Sequence, residues 1–294
     1  MEAKEALDKI LMPRSVAVVG ASTDPFKWGY MLLSAVQKGG FEGKIYPINP
    51  KASEILGLRA YPSVRDVPGD VDMALVVVPA RAVPSVFDDL VEKEVKGAVV
   101  ITSGFSETGE EGAKAIQQIR ETASGRIRFI GPNCMGVTSS PGRLSALMIP
   151  FLHERGDVAF VSQSGGYGLQ LYLRASALGL GVGKFVSSGN ESDLKGWEYL
   201  RYFGEDPDTK LICMYIEGLK EGRRWYEEAK KISPKKPIVV IKVGVTEAGS
   251  KAAASHTGSI AGSDNIYEAA FRQAGVVRAR DAGEMFDYIK GLLY

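Results

Sequence analysis

The chain of 294 residues contains two histidines, His153 and His256, and only the second has a setting that suggests chemistry. His256 lies in Ser250-Lys-Ala-Ala-Ala-Ser-His-Thr-Gly-Ser-Ile-Ala-Gly262, where almost no large side chain is available to pack against an imidazole. Long small-residue stretches between elements usually serve binding or motion. A histidine there can act as a base, a ligand or a nucleophile. The ligand role is poorly supported, because the two cysteines, Cys134 and Cys213, lack zinc-site spacing. His153, in Leu-His-Glu-Arg, reads as a solvated residue. A nucleophilic imidazole needs an acceptor on its far nitrogen. Glu217 offers one, closing the apolar run Met214-Tyr-Ile-Glu217 ahead of Gly218. Asn190, Glu191 and Asp193 leave a neighbouring strand with less legible roles. Ser164-Gly165-Gly166 follows Phe160-Val-Ser162 and opens a helical stretch, so its N–H groups form an anion site. No Gly-Lys-Ser/Thr follows, which excludes a Walker loop.

A second glycine turn lies near the start, in Val16-Ala-Val-Val-Gly20-Ala-Ser22. The first strand-to-helix turn of a doubly wound sheet usually meets a phosphate. The dinucleotide fingerprint is incomplete: Ser22 and Pro25 stand where glycines belong. The next strand ends in Asn49-Pro50-Lys51 rather than in the acid that holds a nicotinamide ribose. Asn49 and Lys51 favour a phosphorylated ribose, as in NADP or coenzyme A, and disfavour a nicotinamide dehydrogenase. Lys27, opening the first helical region, is a further phosphate candidate. Val78-Pro79, Ser103-Gly104 and Asn133-Cys134 close later strands on the same predicted edge. Cys134 has no His or carboxylate nearby in sequence, so it reads as a small residue lining a pocket.

These residues need a frame, and the alternation of apolar runs with helical stretches provides it. Strands are expected at 15–20, 44–49, 72–78, 97–102 and 126–131, with helices between, and short turns at 53–56 and 63–67. The pattern restarts with strands at 157–162, 183–187, 211–217, 237–243 and 275–277, and predicts helices over 263–274 and 282–292. Strands separated by helices argue a parallel α/β sheet in each half. The expected organisation is a Rossmann-like domain over 1–135, a linker at about 136–149 within the Ser-, Gly- and Pro-rich stretch 132–150, and a flavodoxin-like α/β domain over 150–294. Lys and Arg total 36 against 35 acids, a net charge of +1, which leaves no electrostatic footprint for nucleic acid or anionic membrane. No apolar run approaches the ~20 residues of a membrane span, and residues 1–9 lack a signal-peptide core. A cytoplasmic location is the expectation.

Ser255–Gly262, Ser162–Gly165, Tyr215–Gly218 and Gly131–Cys134 together resemble the α subunit of nucleoside-diphosphate-forming acyl-CoA synthetases. The Ser-His-Thr-Gly loop and the Gly20-Ala-Ser turn look closer to the ADP-forming acetate–CoA ligase branch than to succinyl-CoA synthetase. The resemblance implies that the first domain binds CoA through Gly20, Ser22, Lys27, Asn49, Pro50, Lys51, Val78, Pro79, Ser103, Gly104, Asn133 and Cys134. It makes His256 a phosphohistidine, Glu217 its orienting acid, and Ser164, Gly165 and Gly166 the phosphate cradle. It implies an ATP-grasp β subunit as partner in a hetero-oligomer, with Mg²⁺ and ADP or GDP held there, and no redox cofactor. ADP-forming α subunits often continue into a third subdomain. A chain ending at Tyr294 resembles the two-subdomain succinyl-CoA synthetase layout or a fragment. The rival implication is a CoA-binding regulatory protein of the same fold that has lost catalysis.

Overall fold

The first helix, α1 (Ala3–Leu11), falls where the sequence reading places none. Ala6, Leu7, Ile10 and Leu11 form its inner face and are fully buried, the spacing of an amphipathic helix. Complete burial of each Leu or Ile contributes about 1.5–3 kcal/mol. The structure, a computed structural model, describes residues 1–150, 155–244 and 264–294. Two compact units emerge: Met1–Leu152 with Ser192–Leu194, and His153–Glu191 with Lys195–Tyr294.

In the first unit β1 (Ser15–Val19) and β2 (Lys44–Ile48) precede a two-residue ribbon, β3 (Glu54–Ile55) and β4 (Leu58–Arg59), where only turns were expected. Then come β5 (Met73–Val76), β6 (Gly97–Val100) and β7 (Arg128–Ile130). The main sheet has the order β2-β1-β5-β6-β7, and every pairing is parallel. Helices α2 (Trp28–Lys38), α3 (Val83–Glu92) and α4 (Glu110–Ala123) connect its strands. All residues of β1, β5 and β6 are buried, which is why they read as unbroken apolar runs. The chain runs from β1 outward to β2 and returns to β5 on the other side of β1. That reversal opens a crevice at the carboxyl ends of β1 and β5.

The stretch read as a linker carries a hairpin, β8 (Val137–Ser139) with β9 (Leu144–Ala146), antiparallel. Val137, Leu144, Ala146 and Leu147 are fully buried. Strands of three residues are too short to show alternation among their Ser and Gly neighbours.

The second unit contains β10 (Val158–Ser162), β11 (Val182–Ser187), β12 (Leu211–Ile216), β13 (Ile238–Lys242) and β14 (Val277–Ala279). These run parallel in the order β14-β13-β12-β10-β11. Its helices are α5 (Gly165–Ala177), α6 (Gly196–Glu205), α7 (Gly222–Ile232), α8 (Asp264–Gln273) and α9 (Ala282–Leu293). The last strand lies two residues later than expected, because Gly275 adopts φ +69° and closes α8 instead. The reversal here falls between β10 and β12. Among the described residues no helix is long and apolar enough to cross a membrane.

Candidate functional site

Each crevice is built from a strand end, a glycine-bearing turn and a helix start. In the first unit Gly20 takes φ +95°. A Cβ there would lie 2.5 Å from the Val77 carbonyl oxygen, and one at Gly29 only 2.0 Å from the Gly20 carbonyl oxygen. Two glycines therefore let the β1–α2 turn lie flat against both neighbours. The Gly20 N–H donates to the Ile48 carbonyl at 3.1 Å. Asn49 braces the same turn. Its Nδ2 donates to the Ala21 carbonyl at 2.7 Å, and its Oδ1 accepts from the N–H groups of Lys51 at 2.8 Å and Ala52 at 3.2 Å. The Asn49 amide thus holds two loops in place through protein hydrogen bonds. Ser22 Oγ accepts from the Asp24 N–H. The start of α2 has Lys27 at its N-cap, no side-chain cap and no acid in its first turn. Its N–H groups and a cation therefore lie together, a disposition that favours an anion.

A cavity of about 540 Å³ occupies this crevice. Of the sequence-derived residues, Gly20, Ser22, Lys27, Asn49, Pro50, Val78 and Pro79 line it. Lys51, Ser103, Gly104, Asn133 and Cys134 are absent from its wall. Ser103 and Asn133 do lie at carboxyl ends of the same parallel sheet, where the Asn133 N–H donates to the Thr102 carbonyl at 2.9 Å. Cys134 is buried, and its thiol donates to the Val100 carbonyl. Burial pushes that thiol up to about 12, which removes thiolate chemistry near neutral pH. Sequence reasoning missed Ser63 and Asp89 on the wall. Ser63 Oγ donates to Asp89 at 2.8 Å, and the partners come from segments with no shared motif.

In the second unit Ser164 is the N-cap of α5, with no side-chain cap and no acid in the first turn. A Cβ on Gly166 would meet nothing within 4 Å, so among the described residues the helix start is open at that position. Gln163 joins this turn to the one that carries Glu217. Its Oε1 accepts from the N–H groups of Glu217 at 2.6 Å and Gly218 at 3.0 Å, and its Nε2 donates to the Gly218 carbonyl at 2.8 Å. The strand-end register that aligns Ser162 with Tyr215 sets this reach. Ser164, Gly165 and Glu217 are therefore gathered at one crevice by a residue that the sequence marked only as part of a motif. The Tyr215 ring lies 5.1 Å from that of Tyr167, tilted by 50°. Burial, aided by Glu217 and Tyr167, pushes its phenol up to about 12. Lys242, last in β13, is 7% exposed, and burial lowers its pKa. The sequence reading counted no basic residue at this edge.

Asn190, Glu191 and Asp193 have structural partners. Glu191 is buried and accepts from Ser188 Oγ and the Gly196 N–H, and burial raises its pKa. Asp193 holds Arg128 Nε at 3.0 Å. The Asn190 carbonyl accepts from Lys220 Nζ. His256 and His153 lie outside the described residues. Among those described, no group of three His, Cys, Asp or Glu could hold a metal.

Residues 14–140 match the CoA binding domain family, and residues 155–292 match the Succinyl-CoA ligase like flavodoxin domain family. The chain is 46% identical to the acetate–CoA ligase (ADP-forming) I subunit alpha of Pyrococcus furiosus, over 98% of its own length and 63% of that protein. The chain is a homologue of the ADP-forming acetate–CoA ligase alpha subunits. The acetate–CoA ligase (ADP-forming) of Methanocaldococcus jannaschii, also 46% identical, is matched over 96% of this chain and 40% of that one. The solved structure of a Candidatus Korarchaeum cryptofilum dinucleotide forming acetyl-coenzyme A synthetase 1, in complex with phosphate and ADP, is 44% identical. It superposes with a TM-score of 0.93 over 98% of this chain and 62% of that one. The chain therefore spans about three fifths or less of the length of these relatives.

Proposed function

We propose that this chain supplies the CoA-binding and phosphohistidine parts of an ADP- or GDP-forming acyl-CoA synthetase. It interconverts acyl-CoA, nucleoside diphosphate and phosphate with acid, CoA and nucleoside triphosphate. The observation that carries this reading is the Gln163 bridge, which fixes the Glu217 turn beside the open start of α5. An acid held next to an uncapped helix start suits an imidazole that accepts a phosphoryl group. The carboxylate accepts a hydrogen bond from one ring nitrogen, and the N–H groups of Gly165 and Gly166 face the phosphoryl oxygens.

The reaction divides into transfers that each balance. Phosphate oxygen attacks the thioester carbonyl, and CoA thiolate leaves, giving acyl phosphate. The free nitrogen of His256 attacks phosphorus, and the carboxylate of the acid leaves. Phosphohistidine then passes its phosphoryl group to the terminal oxygen of the nucleoside diphosphate. Covalent catalysis breaks one difficult step into easier ones, and phosphoryl transfer depends on positioning and charge neutralisation. CoA enters the first-unit cavity with its phosphates toward Lys27 and the start of α2, and Lys51 lies on the exposed flank. The nucleotide and its Mg²⁺ belong to an ATP-grasp partner, in a cytoplasmic hetero-oligomer with no redox cofactor.

The test mixes the chain with an ATP-grasp subunit, ADP, phosphate and a panel of acyl-CoA thioesters. Triphosphate formation that requires both a thioester and phosphate is the expected result. CoA binding without triphosphate formation from any thioester would instead establish a regulatory CoA-binding protein.

A further inference from the structure

Tyr267 lies in α8, the helix that begins directly after residue 263, and touches two other elements of the second unit. Its hydroxyl accepts from the Leu219 N–H at 3.2 Å. Leu219 is two residues beyond Glu217, in the turn that Gln163 holds at Glu217 and Gly218. The Tyr267 ring lies under the Lys242 ammonium, with Nζ 4.6 Å from the centroid. Lys242 ends β13 in register with Ile216, the residue before Glu217. Its ammonium also donates to the Val243 carbonyl. One side chain therefore joins the Glu217 turn to the elements on both sides of the segment that contains His256.

We propose that Tyr267 is a positioning residue for phosphoryl transfer, fixing the Glu217 turn through its hydroxyl and the Lys242 ammonium through its ring. The inference rests on the function proposed above and adds a residue to it. The charges around Lys242 explain why a ring is needed. Asp264 and Glu217 attract the ammonium, and Arg278 repels it. Arg278 already pairs with Asp264 at 2.6 Å and with Glu268 at 2.9 Å. Burial disfavours the charged lysine and lowers its pKa. A ring face stabilises a cation where water is excluded. Held in its charged form beside the Glu217 turn, Lys242 places a positive charge at the edge where the open start of α5 awaits an anion. Gln163 constrains the turn from β10 and Tyr267 from α8, so the carboxylate at Glu217 has a fixed origin on either side.

The test measures single-turnover transfer of label from γ-phosphate-labelled ATP to the full chain, with an ATP-grasp subunit and Mg²⁺, from neutral to alkaline pH. Tyr267→Phe keeps the ring and removes the hydroxyl. It should slow labelling by about twofold to tenfold, the worth of one hydrogen bond, and lower the melting temperature by only a few degrees, with CoA affinity at the wild-type value. Tyr267→Leu removes both contacts. It should slow labelling further and move the alkaline loss of rate to lower pH, because the ammonium loses its ring. Lys242→Met should label slowly and lose that alkaline limb. Wild-type labelling rates per folded molecule in Tyr267→Phe and Tyr267→Leu, with unmoved pH profiles, would overturn the inference while leaving the phosphohistidine reading intact. Absence of label in the wild type would overturn the parent reading and this inference with it.

Discussion

Asn49 separates a residue that touches CoA from one that shapes the place where CoA sits. Asn49→Ala removes the 2.7 Å bond to the Ala21 carbonyl and the two bonds accepted from Lys51 and Ala52. The Lys51 N–H is exposed, so water replaces that partner at little cost. The Ala21 and Ala52 bonds are half-buried, and at about 0.5–1.5 kcal/mol each they total roughly 1–3 kcal/mol. For a unit of this size each kcal/mol corresponds to about 2–4 °C in melting temperature. Asn49→Asp keeps the acceptor but sets a carboxylate oxygen against the Ala21 carbonyl, so it should lose at least as much. Thermal melts paired with calorimetric CoA titration read both quantities. The expected result is a lower melting temperature without ligand, together with weaker CoA binding. A variant that melts like the wild type yet loses CoA affinity would refute the bracing role and make Asn49 a direct ligand.

The turn and the first unit allow two further checks. Gly29→Ala places a Cβ 2.0 Å from the Gly20 carbonyl oxygen. The β1–α2 turn must open, which should cost about 1–3 kcal/mol of stability and weaken CoA in calorimetry. Asp72 is the second check: burial raises its carboxyl pKa, but hydrogen bonds from Lys9 and the Arg14 N–H outweigh this and hold it below its ordinary 3.8. A depressed folded pKa contributes stability above the unfolded value, and that contribution is lost as pH falls through the folded one. Asp72→Asn should therefore lower stability at neutral pH and flatten the acid limb below about pH 4 in chemical denaturation, since its unfolded carboxylate titrates there.

Much of the frame was legible because parallel strands buried on both faces leave unbroken apolar runs. Val16–Val19 and Ile238–Ile241 have no other plausible use. The hairpin at Val137–Ala146 was not legible, since burial of Thr138, Ser139 and Ser145 depends on what covers them. Helix α1 was legible in principle from Leu7, Ile10 and Leu11, whose spacing marks one helical face. In the sites, glycines that need positive φ or close approach stand out, as Gly20 does. Gln163, Tyr267 and Lys242 do not, because a Gln in a turn, a Tyr on a helix and a Lys after an apolar strand each have ordinary solvent-facing uses. Their roles come from register between strands far apart in sequence. Asn49 was legible as important, but its three protein hydrogen bonds were not.

The proposed function requires a phosphoryl group carried on His256, and its most direct measurement is the covalent label itself. The full chain, mixed with an ATP-grasp subunit, Mg²⁺ and γ-phosphate-labelled ATP, should acquire a label that is lost in acid and kept in base. His256→Ala should abolish that label and leave CoA affinity unchanged, and Glu217→Gln should slow its appearance without unfolding the chain. Retention of the label with full turnover in His256→Ala would contradict the phosphohistidine mechanism.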